Sequence, residues 1–163
     1  MAIAVVGAPA SGKSSVGRRL AQSLDLPFVD VDHEIEHRSG KSIPEMFADE
    51  GEAHFRTLER EVTLELLDRG GVVSLGGGAV LNPDIRAALV GHDVVWLQVS
   101  VTHATRRVGM NVMRPLLLGD VRANLQRLMD EREPLYRELA TVTIDTNKRR
   151  VDDIVAQITE RLT

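Results

Sequence analysis

With 163 residues, 43% hydrophobic and 27% charged, the chain has the length and composition of one globular domain with its own core. A net charge of −4 excludes a general electrostatic hold on nucleic acid or anionic membrane, and an aromatic content of 3% argues against a base-stacking surface for single-stranded nucleic acid. The absence of cysteine excludes disulfides, thiolate metal sites and thiol nucleophiles.

The apolar run at residues 2–6 is too short for a secretory signal or a membrane span, so a cytoplasmic protein is expected. The run reads instead as a buried strand. Residues 14–24 follow as a helix with Val16, Leu20, Ala21 and Leu24 on one face. Residues 28–31 form a second short strand. Ser42 and Glu45 have capping-box spacing and open a short helix through Met46 and Phe47. From about 52 to 68, Phe55, Leu58, Val62 and Leu66 make one helical stripe, which Gly70 and Gly71 end. A third strand at 72–75 runs into Gly76, Gly77 and Gly78. Asn82 before Pro83 is an N-cap with proline at the first helical position, and Gly91 closes that helix. Strands at 94–99 and 141–144 follow. A last helix from about 152 to 162 turns Ile154, Val155, Ile158 and Leu162 inward. Unbroken apolar strands alternating with helices predict a doubly wound α/β fold around a parallel sheet. The pattern alone does not order the strands.

Gly7, Gly12, Lys13 and Ser14 match the phosphate-binding loop G-x-x-x-x-G-K-[ST], between a buried strand and an amphipathic helix. The glycines let successive N–H groups converge on an anion, and the helix that follows offers its positive end. Lys13 can reach the β- and γ-phosphates, and Ser14 can offer its hydroxyl to Mg²⁺. A GTPase would carry Asp-x-x-Gly after the third strand and Asn-Lys-x-Asp near the fifth. Ser74 precedes Leu75 and the glycines instead, and Arg150 stands where the second motif needs Asp. Motor and transporter ATPases need a longer chain. A small kinase is the reading that remains.

Ligands of open α/β sheets bind beyond the carboxyl ends of the strands. Asp30 and Asp32 share one face of an extended segment there, suited to a magnesium-bound water and an acceptor hydroxyl, although Asp32 alone could simply cap the next helix. The three glycines offer close backbone approach or only a flexible turn. Arg56 has Glu59 three residues on, able to hold its guanidinium, or the two form an ordinary solvated pair. Arg114 lies in a loop with Gly109 and Asn111, and the segment Arg132 to Tyr136 closes the helix beyond it.

Taken together these residues resemble shikimate kinase. The matching pieces are the phosphate loop, Asp30-Val31-Asp32, Phe47, Phe55-Arg56, Gly76-Gly77-Gly78, Arg114-Pro115-Leu116-Leu117 and Arg132-Glu133-Pro134-Leu135-Tyr136, in that order over nearly the whole chain. The resemblance implies a P-loop, nucleoside-monophosphate-kinase-like three-layer sandwich with a five-stranded parallel sheet in the order 2-3-1-4-5. It implies one domain over residues 1–163, with a shikimate-binding region at about 32–60 and a lid at about 107–120. The implied reaction moves the γ-phosphoryl of ATP to the 3-hydroxyl of shikimate, on the route to chorismate and the aromatic amino acids.

By matching position, Gly7, Ala8, Pro9, Ala10, Ser11, Gly12, Lys13, Ser14 and Ser15 hold ATP, Arg107 stacks on adenine and Arg149 borders it. One Mg²⁺ accompanies ATP, held by Ser14 directly and by Asp30 through water. Asp32 contacts the ring hydroxyls, Arg56 and Arg132 pair with the carboxylate, and Gly76, Gly77, Gly78, Phe47 and Phe55 line the pocket. Arg114 reaches ATP phosphate and joins Lys13 and Asp32 as the catalytic set. The implied partners are ATP and shikimate, with neither nucleic acid nor membrane, for a cytoplasmic monomer. Another small kinase, for gluconate or a nucleoside monophosphate, and a binding module without catalysis are the competing readings.

Overall fold

The computed structural model describes residues 1–9, 11–109 and 121–162. Five strands, β1 (Ala2–Val6), β2 (Phe28–Asp30), β3 (Gly71–Ser74), β4 (Asp93–Gln98) and β5 (Val142–Asp145), form one parallel sheet in the order β2-β3-β1-β4-β5. The helices are α1 (Lys13–Leu24), α2 (Val31–Ser39), α3 (Ile43–Glu50), α4 (Glu52–Arg69), α5 (Pro83–Leu89), α6 (Val101–Gly109), α7 (Val121–Leu139) and α8 (Val151–Leu162), with a 3₁₀ turn at Ala79–Leu81. The doubly wound fold and its strand order are those expected.

Each central strand divides its side chains between two cores. In β1, Ala2, Ala4 and Val6 join Leu66 of α4, Ile85 of α5 and Tyr136 of α7, whereas Ile3 and Val5 join Leu20 of α1 and Ile158 of α8. In β4, Val94 and Trp96 take the first side, and Val95 and Leu97 the second. This is the period-2 alternation of a strand covered on both faces, and it explains why β1 and β4 read as continuous apolar runs. A third, smaller core of Ala8, Val99, Ala104, Leu125 and Met129 joins the phosphate loop to α6 and α7.

Local chemistry sets the helix starts. Ser42 accepts a hydrogen bond from the Glu45 N–H at 3.3 Å, and Asn82 accepts from the N–H of Asp84 at 2.8 Å and of Ile85 at 3.3 Å. Two expectations need correction. The second strand stops at Asp30, whose Oδ1 accepts from the His33 N–H at 3.1 Å and so caps α2. Asp30 and Asp32 therefore do not share the face of an extended segment. Asp30 is the cap and Asp32 lies in the first helical turn, because a carboxylate that satisfies an orphan N–H makes the helix start favourable there. The segment Arg132 to Tyr136 likewise does not close its helix. α7 continues past Pro134 to Leu139, held by Tyr136, which is buried against Trp96 with ring centroids 5.8 Å apart. Tertiary packing offsets the hydrogen bond that proline removes.

Candidate active site

The phosphate loop leaves β1 at the carboxyl edge of the sheet. Gly12, at φ 87°, is the N-cap of α1, and among the described residues no side chain caps that helix, so its first-turn N–H groups are open to an anion. Gly7 has no room for a side chain: a Cβ there would stand 2.8 Å from both the Leu97 carbonyl oxygen and Ser11 Oγ. Lys13 Nζ curls over its own loop, donating to the carbonyls of Gly7 at 3.0 Å and Ala8 at 3.1 Å. Ser14 Oγ donates to Asp30 Oδ2 at 2.5 Å, which brings together the two residues expected to hold a metal. Ala8 and Ser11 are buried, while Ser15 is exposed in the first turn of α1. Ala10 lies outside the described residues.

The wall beside this loop is the three-glycine segment after β3. Pairing of the two strands extends to it, since the Leu75 N–H donates to the Val5 carbonyl at 3.0 Å. The glycines are required by close approach. A Cβ at Gly76 would lie 2.9 Å from Asp32 Oδ1 and 3.1 Å from Glu59 Oε2; at Gly77, 3.0 Å from Arg132 Nη1; at Gly78, 2.9 Å from Arg56 Nη1. Three consecutive positions thus face two carboxylates and two guanidiniums brought from α2, α4 and α7.

Arg56 Nη1 donates to Glu59 Oε1 at 2.8 Å, and Glu59 is only 2% exposed. The pair is therefore not a solvated surface bridge. Burial pushes the Glu59 carboxyl above its usual range, against the pull of Arg56 and Arg132. Asp32 is raised to about 6, first by burial and then by the neighbouring charges of Asp30 and Glu59, with Lys13 acting the other way. Among the described residues Asp32 Oδ1 and Arg132 Nε are buried without a hydrogen-bond partner, an acceptor and a donor that a small polar ligand would satisfy. Phe55 is buried edge-to-face against half-buried Phe47, with centroids 5.2 Å apart, and Arg56 lies over its ring at 5.4 Å.

On the far side of the phosphate loop, Arg107 Nη2 donates to the Thr146 carbonyl at 3.5 Å. The Arg149 guanidinium turns onto α8, donating to Gln157 Oε1 and, at 3.5 Å, to the Asp153 carbonyl. Arg114 and most of the lid expected at about 107–120 lie outside the described residues. The Tyr136 hydroxyl, to whose role no sequence motif pointed, donates toward Gly77 O at 2.6 Å and lies 3.1 Å from Gly7 O, joining the two walls. The available signal was a lone tyrosine four residues after Arg132, on the same helical face. A separate cleft of about 580 Å³, lined by Ile35, Arg38, Leu58 and Val62 among others, contains none of the site residues.

A family model, shikimate kinase, matches residues 9–163. The chain belongs to the shikimate kinase family. A shikimate kinase of Mycobacterium avium is 50% identical over 160 residues, covering 97% of this chain and 91% of that protein. The solved shikimate kinase from Acinetobacter baumannii in complex with shikimate superposes with a TM-score of 0.92 at 37% identity, covering 99% of this chain and 93% of that one. A gluconokinase from Sinorhizobium meliloti, at 20% identity and a TM-score of 0.61, shares the fold alone. The chain is thus an ATP-dependent kinase of the shikimate pathway, which serves aromatic amino acid biosynthesis. Among the described residues no helix is long and apolar enough to cross a membrane.

Proposed function

We propose that this chain transfers the γ-phosphoryl of ATP to the 3-hydroxyl of shikimate, releasing ADP and shikimate 3-phosphate. The observation that carries the reading is the convergence of Asp32, Arg56 and Arg132 on Gly76, Gly77 and Gly78, beside the phosphate loop. Shikimate carries one carboxylate and three hydroxyls. Two planar guanidiniums suit the carboxylate, and one buried carboxylate suits the hydroxyls. Phe47 and Phe55 close the pocket with apolar rings.

In this reading Gly7 to Ser15 hold the phosphates of ATP, and Arg107 and Arg149 border its adenine. Lys13 leaves the carbonyls of its own loop and moves to the β- and γ-phosphates. Asp32 accepts the hydrogen bond of the attacking hydroxyl, the hydroxyl oxygen bonds to the γ-phosphorus as its proton leaves toward Asp32 and then to solvent, and the bond from that phosphorus to the β,γ-bridging oxygen breaks, its electron pair staying on ADP. Arg114 neutralises charge on the transferring group together with Lys13, since loose phosphoryl transfer asks the protein mostly for position and charge. Ser14 Oγ and Asp30 Oδ2 make a hard-oxygen pair that fits Mg²⁺, Ser14 as a direct ligand and Asp30 through water. Bound there with ATP, the ion would offset phosphate charge. The region 32–60 is the acceptor-binding part and 107–120 the lid of one domain. We place the enzyme in the cytoplasm as a monomer without nucleic-acid or membrane partners.

The test is ADP release from ATP and Mg²⁺ with shikimate, gluconate, AMP or CMP as the acceptor. Turnover with shikimate alone is expected. Equal or greater turnover with another acceptor would overturn the assignment.

A further inference from the structure

Tyr136 is the only tyrosine of the chain, and it is 1% exposed. Its hydroxyl stands between two carbonyls that belong to different substrates in the reading above. Gly7 O opens the phosphate loop, and Gly77 O lies in the middle of the acceptor wall. A phenol has one proton, so it can serve one of the two carbonyls fully at a time. In the described state Gly7 O also accepts from Lys13 Nζ at 3.0 Å, and the phenol lies nearer to Gly77 O, at 2.6 Å against 3.1 Å.

The arrangement changes when Lys13 moves to phosphate. Gly7 is buried, so its carbonyl then loses a charged donor that water cannot readily replace. The phenol is already within reach. Its ring cannot withdraw, because Trp96 packs against it and burial on α7 fixes the backbone. Neither glycine has free space around it: a Cβ at Gly7 would strike Leu97 O, and one at Gly77 would meet Arg132 Nη1 at 3.0 Å and Gly7 O at 3.8 Å. The two walls are thus in near contact, with the phenol bridging them.

We infer that Tyr136 is a positioning residue whose hydroxyl couples the walls, its hydrogen bond shifting from Gly77 O toward Gly7 O as Lys13 turns to the nucleotide. The bridge thereby sets the distance between the phosphoryl donor and the acceptor oxygen. The inference rests on the two-substrate reading of the site. It places Tyr136 behind the substrates, acting through the two backbone carbonyls with the Arg132 guanidinium also beside the phenol, and separates its role from that of a buried phenol that only ties α7 to the sheet.

Two measurements test it. For Tyr136→Phe, kcat is expected to fall about three- to ten-fold, the size one neutral hydrogen bond supplies, with both KM values within about two-fold of wild type. An unchanged kcat with a lowered Tm, or a loss confined to one KM, overturns the coupling role. Because the chain has one tyrosine, growth on 3-fluorotyrosine labels that position alone with a nearly isosteric phenol. Its ¹⁹F resonance should move on adding a non-hydrolysable ATP analogue with Mg²⁺, before any shikimate is present. A resonance that ignores the analogue overturns the inference even if Tyr136→Phe fails to fold. The underlying reading fails separately, by absence of shikimate-dependent turnover in the wild type.

Discussion

The two walls of the site are built by opposite means. The phosphate loop is one short stretch of chain between β1 and α1, and its binding groups are mostly backbone N–H groups and a helix end. The wall proposed for the acceptor is made of side chains from α2, α4 and α7 brought against three glycines after β3. A backbone site is local and tolerates most side-chain changes that keep its φ angles. A side-chain site depends on the packing of several helices, so single changes should alter acceptor affinity while leaving ATP untouched.

The largest effect that would sharpen this contrast belongs to Arg114. Arg114→Ala should lower kcat by about 10³ with little change in shikimate KM, because a charge on the transferring phosphoryl acts in the transition state. If steady-state kinetics place the loss in shikimate KM, Arg114 serves the acceptor wall. Arg132→Lys keeps the charge but loses the planar fork. It should raise the shikimate KM by about 10- to 100-fold with ATP affinity preserved. Calorimetric titration with each substrate separates the two, and equal weakening of both would break the distinction between the walls.

Gly77→Ala is a finer probe, since its methyl would meet Arg132 Nη1 at 3.0 Å and displace the guanidinium. Shikimate binding weakened roughly three- to ten-fold, with ATP KM unchanged, is expected from overpacking of this size. No change would mean that Arg132 has room to yield.

The smallest expected effect is on stability and its pH dependence. Asp32 is raised from 3.8 to about 6, chiefly by burial and then by Asp30 and Glu59. Between those values the folded chain holds a proton that the unfolded chain has lost, so ionised Asp32 costs stability above pH 6 and the cost fades as pH falls toward 4. Asp32→Asn should therefore raise Tm by about 2–4 °C at pH 8, with the gain vanishing near pH 4. In the wild type, kcat/KM for shikimate should fall as pH drops through about 6, where Asp32 gains its proton. Scanning calorimetry and a pH–rate profile read the two. A gain in Tm that is flat with pH would remove Asp32 as its cause.

Legibility followed the same division. Gly7, Gly12, Lys13 and Ser14 could be read directly because their chemistry needs only neighbours in the chain. The parallel sheet could be read from β1 and β4, whose unbroken apolar runs reflect burial on both faces. Asp30 and Asp32 were misread because alternation along a strand and the first turn of a helix both accommodate Asp-x-Asp, and the choice lay in a hydrogen bond to the His33 N–H. Arg56 and Glu59 were visible as a pair, but the burial of Glu59 was not, since spacing alone does not say what packs over a helix face. Pro134 signalled an end that packing around Tyr136 did not allow.

By itself, then, the amino-acid sequence determined the nucleotide loop, the strands, the helix caps at Ser42 and Asn82, and, through the order of its short motifs, the family. These are set by backbone freedom, hydrophobic period and side chains acting on nearby N–H groups. Only the tertiary structure decided that Asp32, Glu59, Arg132 and Arg56 would press on successive glycines, and that one phenol would bridge Gly7 and Gly77. Those contacts join residues far apart in the chain. Their distances depend on how β3 lies beside β1 and how α4 and α7 pack around that pair.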